Sequence, residues 1–436
     1  MELTFVKLLV NVILWCSCGK GLVHSQSPFL SAAGREKTCR KPIVEITVSP
    51  LITRSSLREL EISWDVGDQW SKGDWIALYN EAPEAKIKPL FKTEIRDSIG
   101  WTSTGIPEGR RFQENPNFNK VCLGYWAAYW KPNLSSPAAI SCLGTNPKWM
   151  GDLKKVIRNI KLKDMFIPGT HDSAAFHLAF SPFKESRYHK YVFAQDENIL
   201  EQLIHGARYL DFRIGYYNGI WWLNHGIVKV HPLQHVLDEI KLFLNNTQEI
   251  IFMDLHAFPV GFRERDVHQQ LVKYLRKELD SYMAPPWLTW NANLGQLWDR
   301  NRRLVVAYND RSIVAEHFDV LWWPVMQKWP DVRSLNALHS YFDGVFKMFE
   351  RKSRSSSIAW AAMAELTPDV WGVISDKYGG LRRMAYTVNH NVTQWFRGDW
   401  GALCNAVAVD YIRSTGIVEA AIRWNVRKAI RSNCDP

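Results

Sequence analysis

The chain has 436 residues, of which 46% are hydrophobic and 22% are charged. This is an ordinary globular composition, and the length allows a sizeable core and suggests two domains. The formal net charge of +10 favours an anionic membrane surface or an anionic substrate, and would also suit nucleic acid. We expect no nucleic-acid partner, because the basic residues are scattered and the dense runs at 352–354 and 423–431 are typical of a solvated loop and a helix face.

The first segment, MELTFVKLLVNVILWCSCG, has the layout of a secretory signal peptide. Lys7 precedes an apolar run, and small residues follow that run. We therefore predict that residues 1–25 are a signal peptide removed near Ser25, and that the mature protein is secreted or lumenal. The alternative is an uncleaved membrane anchor, but the apolar core at 8–15 is too short to span a bilayer comfortably. The polar C-terminus, AIRSNCDP, lacks the hydrophobic tail of a lipid-anchor signal, which predicts a soluble mature protein.

The cysteines and the glycosylation triplets also fit a secretory route. Five of the seven cysteines lie beyond the signal segment, which predicts two disulfides and one remaining thiol with the connectivity open. Proximity favours a Cys404–Cys434 bridge and one bridge among Cys39, Cys122 and Cys142. There is no CxxC metal spacing. Sequons occur at Asn133, Asn245 and Asn391, although such triplets also arise by chance.

Residues 38–145 contain short alternating segments that predict a small all-β sandwich domain. The segments are IVEITV, LEISW, DWIALYN and CLGYWAAYW, separated by Gly, Pro, Asn and Asp. The stretch GDWIALY weakly resembles the Ig-like N-terminal domains that precede some phosphatases and adaptor proteins. We interpret this domain as a structural appendage without chemistry of its own. The boundary is placed in CLGTNPKWMGDL, where Gly, Asn and Pro precede a helical pattern.

After residue 150 the pattern changes to that of an α/β domain. The runs MFIPG, ARYLDFR, IWWLNHG, EIIFMDL, RLVVAYND and NAVAVDYI are apolar on both faces, as buried parallel strands are. Segments such as LQHVLDEIKLFLNN and VHQQLVKYLRKEL have helical spacing of their apolar residues. Six or more such units predict a TIM-like barrel, regular or irregular, over residues 150–436. In such a barrel the catalytic side chains lie at the C-terminal ends of the strands.

Polar residues stand where several of these predicted strands end. They are His171 and Asp172 after MFIPGT, Asp211 and Arg213 in YLDFR, His225 in LNHG, and Asp410 in AVAVDYI. A lone histidine is more often a hydrogen-bonded structural residue, and a lone aspartate can cap a strand end. Two histidines, three carboxylates and an arginine at strand ends of one domain together indicate a catalytic site.

This set of side chains suits phosphodiester cleavage. One neutral imidazole can accept a proton from an attacking hydroxyl while a protonated one donates to a departing alkoxide. Carboxylates fix the tautomers of such rings, and the planar fork of an arginine fits phosphate oxygens. Acyl transfer is disfavoured, because no GxSxG motif is present.

The motifs IPGTHDS, GARYLDFR and LNHG resemble, in order and spacing, the X-domain signature of phosphatidylinositol-specific phospholipase C. The resemblance is to the bacterial enzymes and the animal X-domain-containing proteins in particular. It runs from about residue 152 to residue 410 and is thin between 257 and 407. It implies that His171 removes the proton of the inositol 2-hydroxyl and that Asp410 orients His171. His225 would protonate the diacylglycerol oxygen, Asp211 would position His225, and the first product would be a cyclic inositol phosphate.

The resemblance also bears on metal dependence. Calcium-dependent members of that family carry an acidic residue at the position of Arg213 and an asparagine at the position of Asp172. Here Arg213 would bind the phosphate and repel Ca²⁺, while Asp172 would assist near the leaving group. We therefore predict catalysis without a metal or another cofactor. The alternative is that Arg213 pairs structurally with Asp211 and leaves the phosphate to another group.

Tryptophans supply a candidate membrane contact. Those in question are Trp221, Trp222, Trp322, Trp323 and Trp329. Core packing is the simpler interpretation, although aromatic rings also settle well in a membrane interface. For the Pro-bounded stretch WWPVMQKWP, insertion into an interface remains open.

The leading hypothesis is cleavage of phosphatidylinositol or a related inositol phosphodiester, including the protein-anchor glycan form, at a membrane surface. One alternative is a module that binds inositol phospholipid but turns over poorly, with its β-sandwich docking another protein. Another is a phosphodiesterase acting on sphingomyelin or lysophospholipid. That alternative is disfavoured because the ExD pair that holds Mg²⁺ in such folds is missing.

Overall fold

The computed structural model describes residues 41–52, 58–84, 87–109, 116–177, 185–186, 189–351 and 358–431. The predicted signal peptide, Cys39 and Cys434 lie outside these residues. Secretion and the Cys404–Cys434 bridge therefore stay predictions.

Two antiparallel sheets occupy the N-terminal part. Their strands are β1 (Ile43–Ile52), β2 (Arg58–Asp65), β3 (Trp75–Tyr79), β4 (Phe91–Glu94), β5 (Ile99–Pro107), β6 (Cys122–Trp130) and β7 (Ala139–Gly144). One sheet has the order β1-β2-β5 and the other β4-β3-β6-β7. Alternate residues such as Leu60 and Ile62 of β2 and Ile76 and Leu78 of β3 share one hydrophobic cluster. Side chains from both sheets thus form one core, as in a small β-sandwich.

A disulfide joins Cys122 of β6 to Cys142 of β7. It satisfies the prediction of one bridge among Cys39, Cys122 and Cys142. Because β6 and β7 are adjacent antiparallel strands, the bridge connects neighbours within one sheet.

Strands and helices alternate in the rest of the chain. The strands are β8 (Ile167–Thr170), β9 (Tyr209–Tyr217), β10 (Ile220–His225), β11 (Val228–Pro232), β12 (Ile251–Val260), β13 (Leu304–Tyr308), β14 (Met326–Lys328), β15 (Trp360–Met363) and β16 (Ala406–Val409). The helices are α1 (Trp149–Asp152), α2 (Lys154–Ile157), α3 (Ile199–Ile204), α4 (Leu233–Asn246), α5 (Arg265–Leu279), α6 (Leu294–Asp299), α7 (Arg311–Glu316), α8 (Leu335–Arg351), α9 (Val370–Ser375), α10 (Leu381–Arg397), α11 (Trp400–Leu403) and α12 (Ile417–Ile430). The predicted α/β class is confirmed.

Seven of these strands form a parallel ladder in the order β13-β12-β9-β8-β16-β15-β14. The ladder does not close between β13 and β14 within the described residues. A single bridge between Ala307 and Trp322, in the segment before β14, links the two edges. Pro324 follows Trp322 closely and has no N–H to extend the pairing. The predicted barrel is therefore an irregular, incompletely paired one.

The IWWLNHG strand was wrongly grouped with the buried parallel strands. It forms β10, which pairs antiparallel with the C-terminal half of β9 and with β11. The two residues of the β9–β10 turn, Asn218 and Gly219, both have positive φ, as a tight two-residue hairpin requires. His225 therefore reaches the site from a hairpin beside the barrel.

The barrel strands bury both faces, which explains their continuous apolar runs. In β13 all five residues are buried. Leu304 and Val306 join a cluster with residues of the flanking helices, whereas Val305 and Ala307 join a second cluster with residues of other strands. Within the described residues, none of the helices combines the length and apolar character that a membrane span requires.

Candidate active site

All six predicted site residues lie at one end of the parallel strands. His171 and Asp172 follow β8, Asp211 and Arg213 lie in β9, His225 ends β10, and Asp410 follows β16. Because β16, β8 and β9 are neighbours in the ladder, their C-terminal ends bring these side chains together.

Asp410 is hydrogen-bonded to His171. The Nδ1 atom of His171 lies 2.8 Å from Oδ1 of Asp410, and both side chains are buried. The backbone N–H of His171 donates to the carbonyl of Val409 over 3.0 Å, which extends the β8–β16 pairing to this residue. A carboxylate on Nδ1 favours the tautomer whose Nε2 lone pair is free, so the ring is oriented as a general base.

Arg213 contacts the other ring nitrogen of His171. Its Nη2 atom donates to Nε2 of His171 over 3.0 Å, and its Nη1 atom lies 2.7 Å from Oδ2 of Asp172. A guanidinium can only donate, so this contact becomes a hydrogen bond when Nε2 is unprotonated, which is the state that a general base needs. Arg213 thus contacts the nitrogen atom of His171 that would accept a proton. A bound phosphate can compete with that nitrogen for the N–H donors of Arg213.

Within the described part of the chain, the ring nitrogens of His225 contact Val192 and Asp172, and neither contacts Asp211. Its Nδ1 atom donates to the carbonyl of Val192 over 2.5 Å, and its Nε2 atom lies 3.3 Å from Oδ2 of Asp172. The implied role of Asp211 in positioning His225 is therefore corrected. The same Oδ2 atom of Asp172 lies 3.5 Å from Nε2 of His171, so the two imidazoles present their Nε2 atoms to one carboxylate.

Asp211 supports the backbone of the site. Its Oδ2 atom accepts the N–H of Asp172 over 3.0 Å, and Gln327 donates to its Oδ1 atom over 2.9 Å. Asp172 has a φ of 40°, a left-handed conformation that a non-glycine residue adopts only at some cost. The hydrogen bond from the N–H of Asp172 to Asp211 stabilises this conformation, in which the Asp172 side chain lies between His171 and His225. Arg213, 3.7 Å away, lowers the pKa of the buried Asp211 against the raising effect of its burial.

Glu365 is a site residue that the sequence analysis missed. It is only 3% exposed and stands two residues beyond β15, where Thr367 donates to its Oε2 atom over 3.2 Å. Burial raises the pKa of Glu365 to about 7. Burial alone would lower the pKa of His171, but the carboxylates of Asp172, Asp410 and Glu365 raise it to about 10. Glu365 thus adds to the negative charge around the predicted base.

This environment predicts a pH effect of Glu365→Gln. A general base must be deprotonated, so the rise of kcat/KM with pH follows the pKa of His171. Removing the Glu365 charge lowers that pKa, and we expect the rising limb to move to lower pH. The plateau rate should fall by far less than the ~10²-fold that loss of a proton-transfer group costs.

Glu239→Gln is the matched control for this pH profile. Glu239 lies in α4, and burial raises its pKa to about 7 as well. Its backbone partner is Leu200, away from His171. We expect its pH profile to match that of the unaltered protein. A rising limb that does not move in Glu365→Gln would mean that Glu365 has no effect on the base.

Among the residues that the structure describes, two groups of side chains bring enough ligand atoms together to hold a metal ion. One group is His171, Asp172 and Asp211, and the other is His171, Glu365 and Asp410. In the first group Arg213 already lies against both aspartates. In the second group Nδ1 of His171 is hydrogen-bonded to Asp410. A cation would have to displace these contacts.

Comparison with known proteins places the fold. No protein-family model matches the chain. PI-PLC X domain-containing protein 3 of Bos taurus is 25% identical over 311 residues, covering 64% of this chain and 92% of that protein. PI-PLC X domain-containing protein 1 of Homo sapiens is 25% identical over 320 residues, covering 67% and 96%. A mutant of the phosphatidylinositol-specific phospholipase C from Staphylococcus aureus aligns with a TM-score of 0.50 and 17% identity, covering 63% of this chain and 96% of that one.

Proposed function

We propose that this chain, a homologue of the PI-PLC X domain-containing proteins, is a phosphodiesterase that cleaves phosphatidylinositol or a related inositol phosphodiester. One observation carries the proposal. Two imidazole Nε2 atoms flank a single carboxylate oxygen, at 3.5 and 3.3 Å, with a guanidinium on that same oxygen. A base, an acid and a phosphate ligand therefore converge on one point.

The first step uses a nucleophile from the substrate. His171 takes the proton of the inositol 2-hydroxyl on Nε2 while its Nδ1–H stays bonded to Asp410. The 2-oxygen then forms a bond to phosphorus, and the bond from phosphorus to the glycerol oxygen breaks. His225, as imidazolium, gives its Nε2 proton to that oxygen. The products are a cyclic inositol phosphate and diacylglycerol.

The carbonyl of Val192 suits His225 to this role. It accepts Nδ1–H in the imidazolium and in the neutral ring that remains after proton transfer. The neutral ring then has a free Nε2 lone pair. In a second step His225 can activate water, while protonated His171 returns its proton to the 2-oxygen as the cyclic ester opens.

Arg213 takes the part that a metal ion plays in other phosphodiesterases. Its fork of donors matches two phosphate oxygens, and its fixed charge offsets the charge that develops on them. Substrate binding would exchange the contact with Nε2 of His171 for contacts with phosphate, which frees the base when the substrate arrives. The proposed reaction therefore requires no metal.

Location outside the cell and action on the protein-anchor glycan lipid are parts of this proposal. The Cys122–Cys142 disulfide supports an oxidising compartment. The sequon residues Asn133 and Asn245 are exposed, as glycosylation needs, whereas Asn391 is partly buried within α10.

Contact with a membrane is proposed for the end of the barrel that carries the site. Trp371 of α9 is 76% exposed, and Trp329, which directly follows β14, is 41% exposed. The indole N–H of Trp329 donates to Thr367, in the segment between β15 and α9, so both rings belong to this end. Of the tryptophans named from sequence, Trp221 and Trp322 are buried, which matches the core-packing interpretation, whereas Trp323 and Trp329 are exposed.

We expect Trp371→Ala to lower the partition of the protein onto phosphatidylinositol vesicles by roughly 10- to 100-fold, because burying a large apolar side chain contributes about 1.5–3 kcal/mol. Cleavage of a soluble, short-chain substrate should not change. Trp287 provides the control, since it is 58% exposed. It belongs to the 284–292 segment, which bonds to Leu304 at the start of β13 and to Leu162 ahead of β8, and so lies at the opposite end. Equal losses in the two variants would contradict the proposed contact.

The function itself is tested by incubating the full chain with phosphatidylinositol vesicles in EDTA and measuring cyclic inositol phosphate. We expect release that EDTA does not reduce. Vesicle binding without release would favour the non-catalytic module, and release only after addition of Mg²⁺ or Ca²⁺ would favour a metal-dependent phosphodiesterase. Cleavage of sphingomyelin, measured as release of a choline-containing product, without cleavage of phosphatidylinositol would reassign the substrate.

A further inference from the structure

Arg58, the first residue of β2, reaches from the sandwich into the barrel part of the chain. Its Nη1 atom donates to Oδ2 of Asp196 over 2.7 Å, and both Nη atoms lie 3.2 Å from Oε1 of Glu197. Its Nη2 atom also donates to Glu108 over 3.2 Å. The Arg58 side chain is 4% exposed. Burying a guanidinium is unfavourable unless carboxylates compensate it. The contacts of Arg58, together with those of Arg382 to Asp196 and of Arg413 to Glu197, therefore hold the two carboxylates in place.

Asp196 and Glu197 end a segment, 192–197, that contacts the catalytic machinery. At its start the carbonyl of Val192 accepts Nδ1–H of His225. Near its end the side-chain amide of Gln195 donates to the backbone carbonyl of His171 over 3.0 Å and to that of Val409 over 2.9 Å. The segment therefore connects the Arg58 cluster with the backbone and side chains of the site.

The two histidines depend on this segment to different degrees. His171 is also held by its own N–H to Val409 and by Asp410. His225 lies at the end of the β10 hairpin strand, and the carbonyl of Val192 accepts its Nδ1–H and so keeps the proton on that nitrogen. A displacement of the segment would thus disturb the orientation of His225 before that of His171.

We propose that Arg58 is a positioning residue for the general acid. The sandwich, through Arg58, holds the 192–197 segment so that the carbonyl of Val192 directs Nε2 of His225 toward the leaving group. This assignment rests on the function proposed above. It makes the sandwich a part of the active-site architecture, in place of the appendage without chemistry expected from the sequence.

Arg397→Gln is the matched control for Arg58→Gln. Arg397 of α10 is also 4% exposed and also pairs across to the sandwich, with Glu45 of β1 and Ser63 of β2. Both variants remove one buried arginine that joins the two parts of the chain. Of these two arginines, only Arg58 contacts Asp196 and Glu197. Asp196 also pairs with Arg382 and Glu197 with Arg413, and both variants keep these pairs.

The two full-chain variants are compared on two substrates, phosphatidylinositol and an aryl ester of inositol phosphate. An alkoxide needs protonation to leave, whereas a phenolate leaves without it. We expect Arg58→Gln to lose on the order of 100-fold in kcat on phosphatidylinositol and much less on the aryl ester. Arg397→Gln should lose equally on both at a similar fall in Tm. An equal loss on both substrates in Arg58→Gln would overturn the proposal.

A second readout does not depend on turnover. The ¹⁵N NMR shifts of the His225 ring report which nitrogen carries the proton, and we expect Nδ1–H in the unaltered chain and a mixed tautomer in Arg58→Gln. This separates failure of the positioning role from failure of the proposed function. Should Arg58→Gln not fold, Glu197→Gln weakens the same contact and leaves the Asp196 pair. Unchanged His225 shifts in the folded variant would overturn the assignment.

Discussion

Replacement of His171 by alanine is expected to lower kcat/KM for phosphatidylinositol by about 10²- to 10⁴-fold, the usual contribution of a general base. The ring is 8% exposed, its Nδ1 atom is bonded to Asp410, and its Nε2 atom faces Asp172 and Arg213. Within the described residues, no other imidazole has a carboxylate on Nδ1 and its Nε2 atom against Arg213. We therefore expect the rising limb of the pH profile to disappear.

The loss in His171→Ala should be similar for alkyl and aryl leaving groups, because the base acts on the attacking hydroxyl. This distinguishes it from a defect in His225, which an aryl leaving group would relieve. His235→Ala is the control, since that ring is 47% exposed in α4 and pairs with Glu239. Full activity of His171→Ala on phosphatidylinositol would remove His171 from the mechanism and leave the binding module as the better interpretation.

The position of the site could be predicted from the sequence because it follows from one regularity of α/β folds. Polar residues that directly follow buried parallel strands meet at the same edge of the sheet. His171 after β8 and Asp410 after β16 are 239 residues apart in sequence, yet their strands are neighbours and their side chains are 2.8 Å apart. The same pattern precedes Glu365, whose run WAAMAE resembles AVAVD and forms a strand of equal length. It lies in the part of the chain, 257–407, where the family resemblance is thin and no motif marks it.

The contacts within the site could not be predicted in the same way. Asp211 was expected beside His225, and the structure instead places the carbonyl of Val192 there. Every residue has a backbone carbonyl, so the sequence does not indicate which carbonyl will accept a hydrogen bond from a given side chain. The aim of Asp172 depends on its left-handed backbone, which neither composition nor periodicity encodes.

Long-range ion pairs and the incomplete closure of the parallel sheet could not be predicted from the sequence either. Arg58 and Asp196 are 138 residues apart. Arg58 belongs to the sandwich and Asp196 to the barrel part of the chain, so their pairing depends on how the sandwich packs against the barrel. Of the six runs predicted to be parallel strands, five lie in the parallel ladder, and β14 and β15 complete it. The gap beside β14 reflects a three-residue strand preceded by Pro324. Edge pairing of this kind is decided by local backbone geometry rather than by hydrophobic pattern.

Replacement of Arg213 by lysine is expected to lower kcat/KM by about 10²- to 10³-fold, even though the charge is kept. A guanidinium presents parallel donors to two oxygens, whereas an ammonium is a point charge on a flexible stem. The present contacts, 2.7 Å from Nη1 to Asp172 and 3.0 Å from Nη2 to His171, use both arms of the fork. Lysine cannot reproduce them together. Addition of guanidinium ion to Arg213→Ala should restore part of the activity, and EDTA should leave the rescue unchanged.

Arg208→Lys controls for the loss of a buried guanidinium. Arg208 directly precedes β9, is fully buried, and pairs with Glu249 over 2.6 Å at the opposite end of the strand from the site. We expect this variant to lose stability, measured as Tm, with kcat/KM preserved in the folded fraction. If Arg213→Lys behaved in the same way, the guanidinium would serve only to pair with Asp211 and Asp172. The phosphate would then need another ligand, and metal-independent cleavage would lose its physical basis.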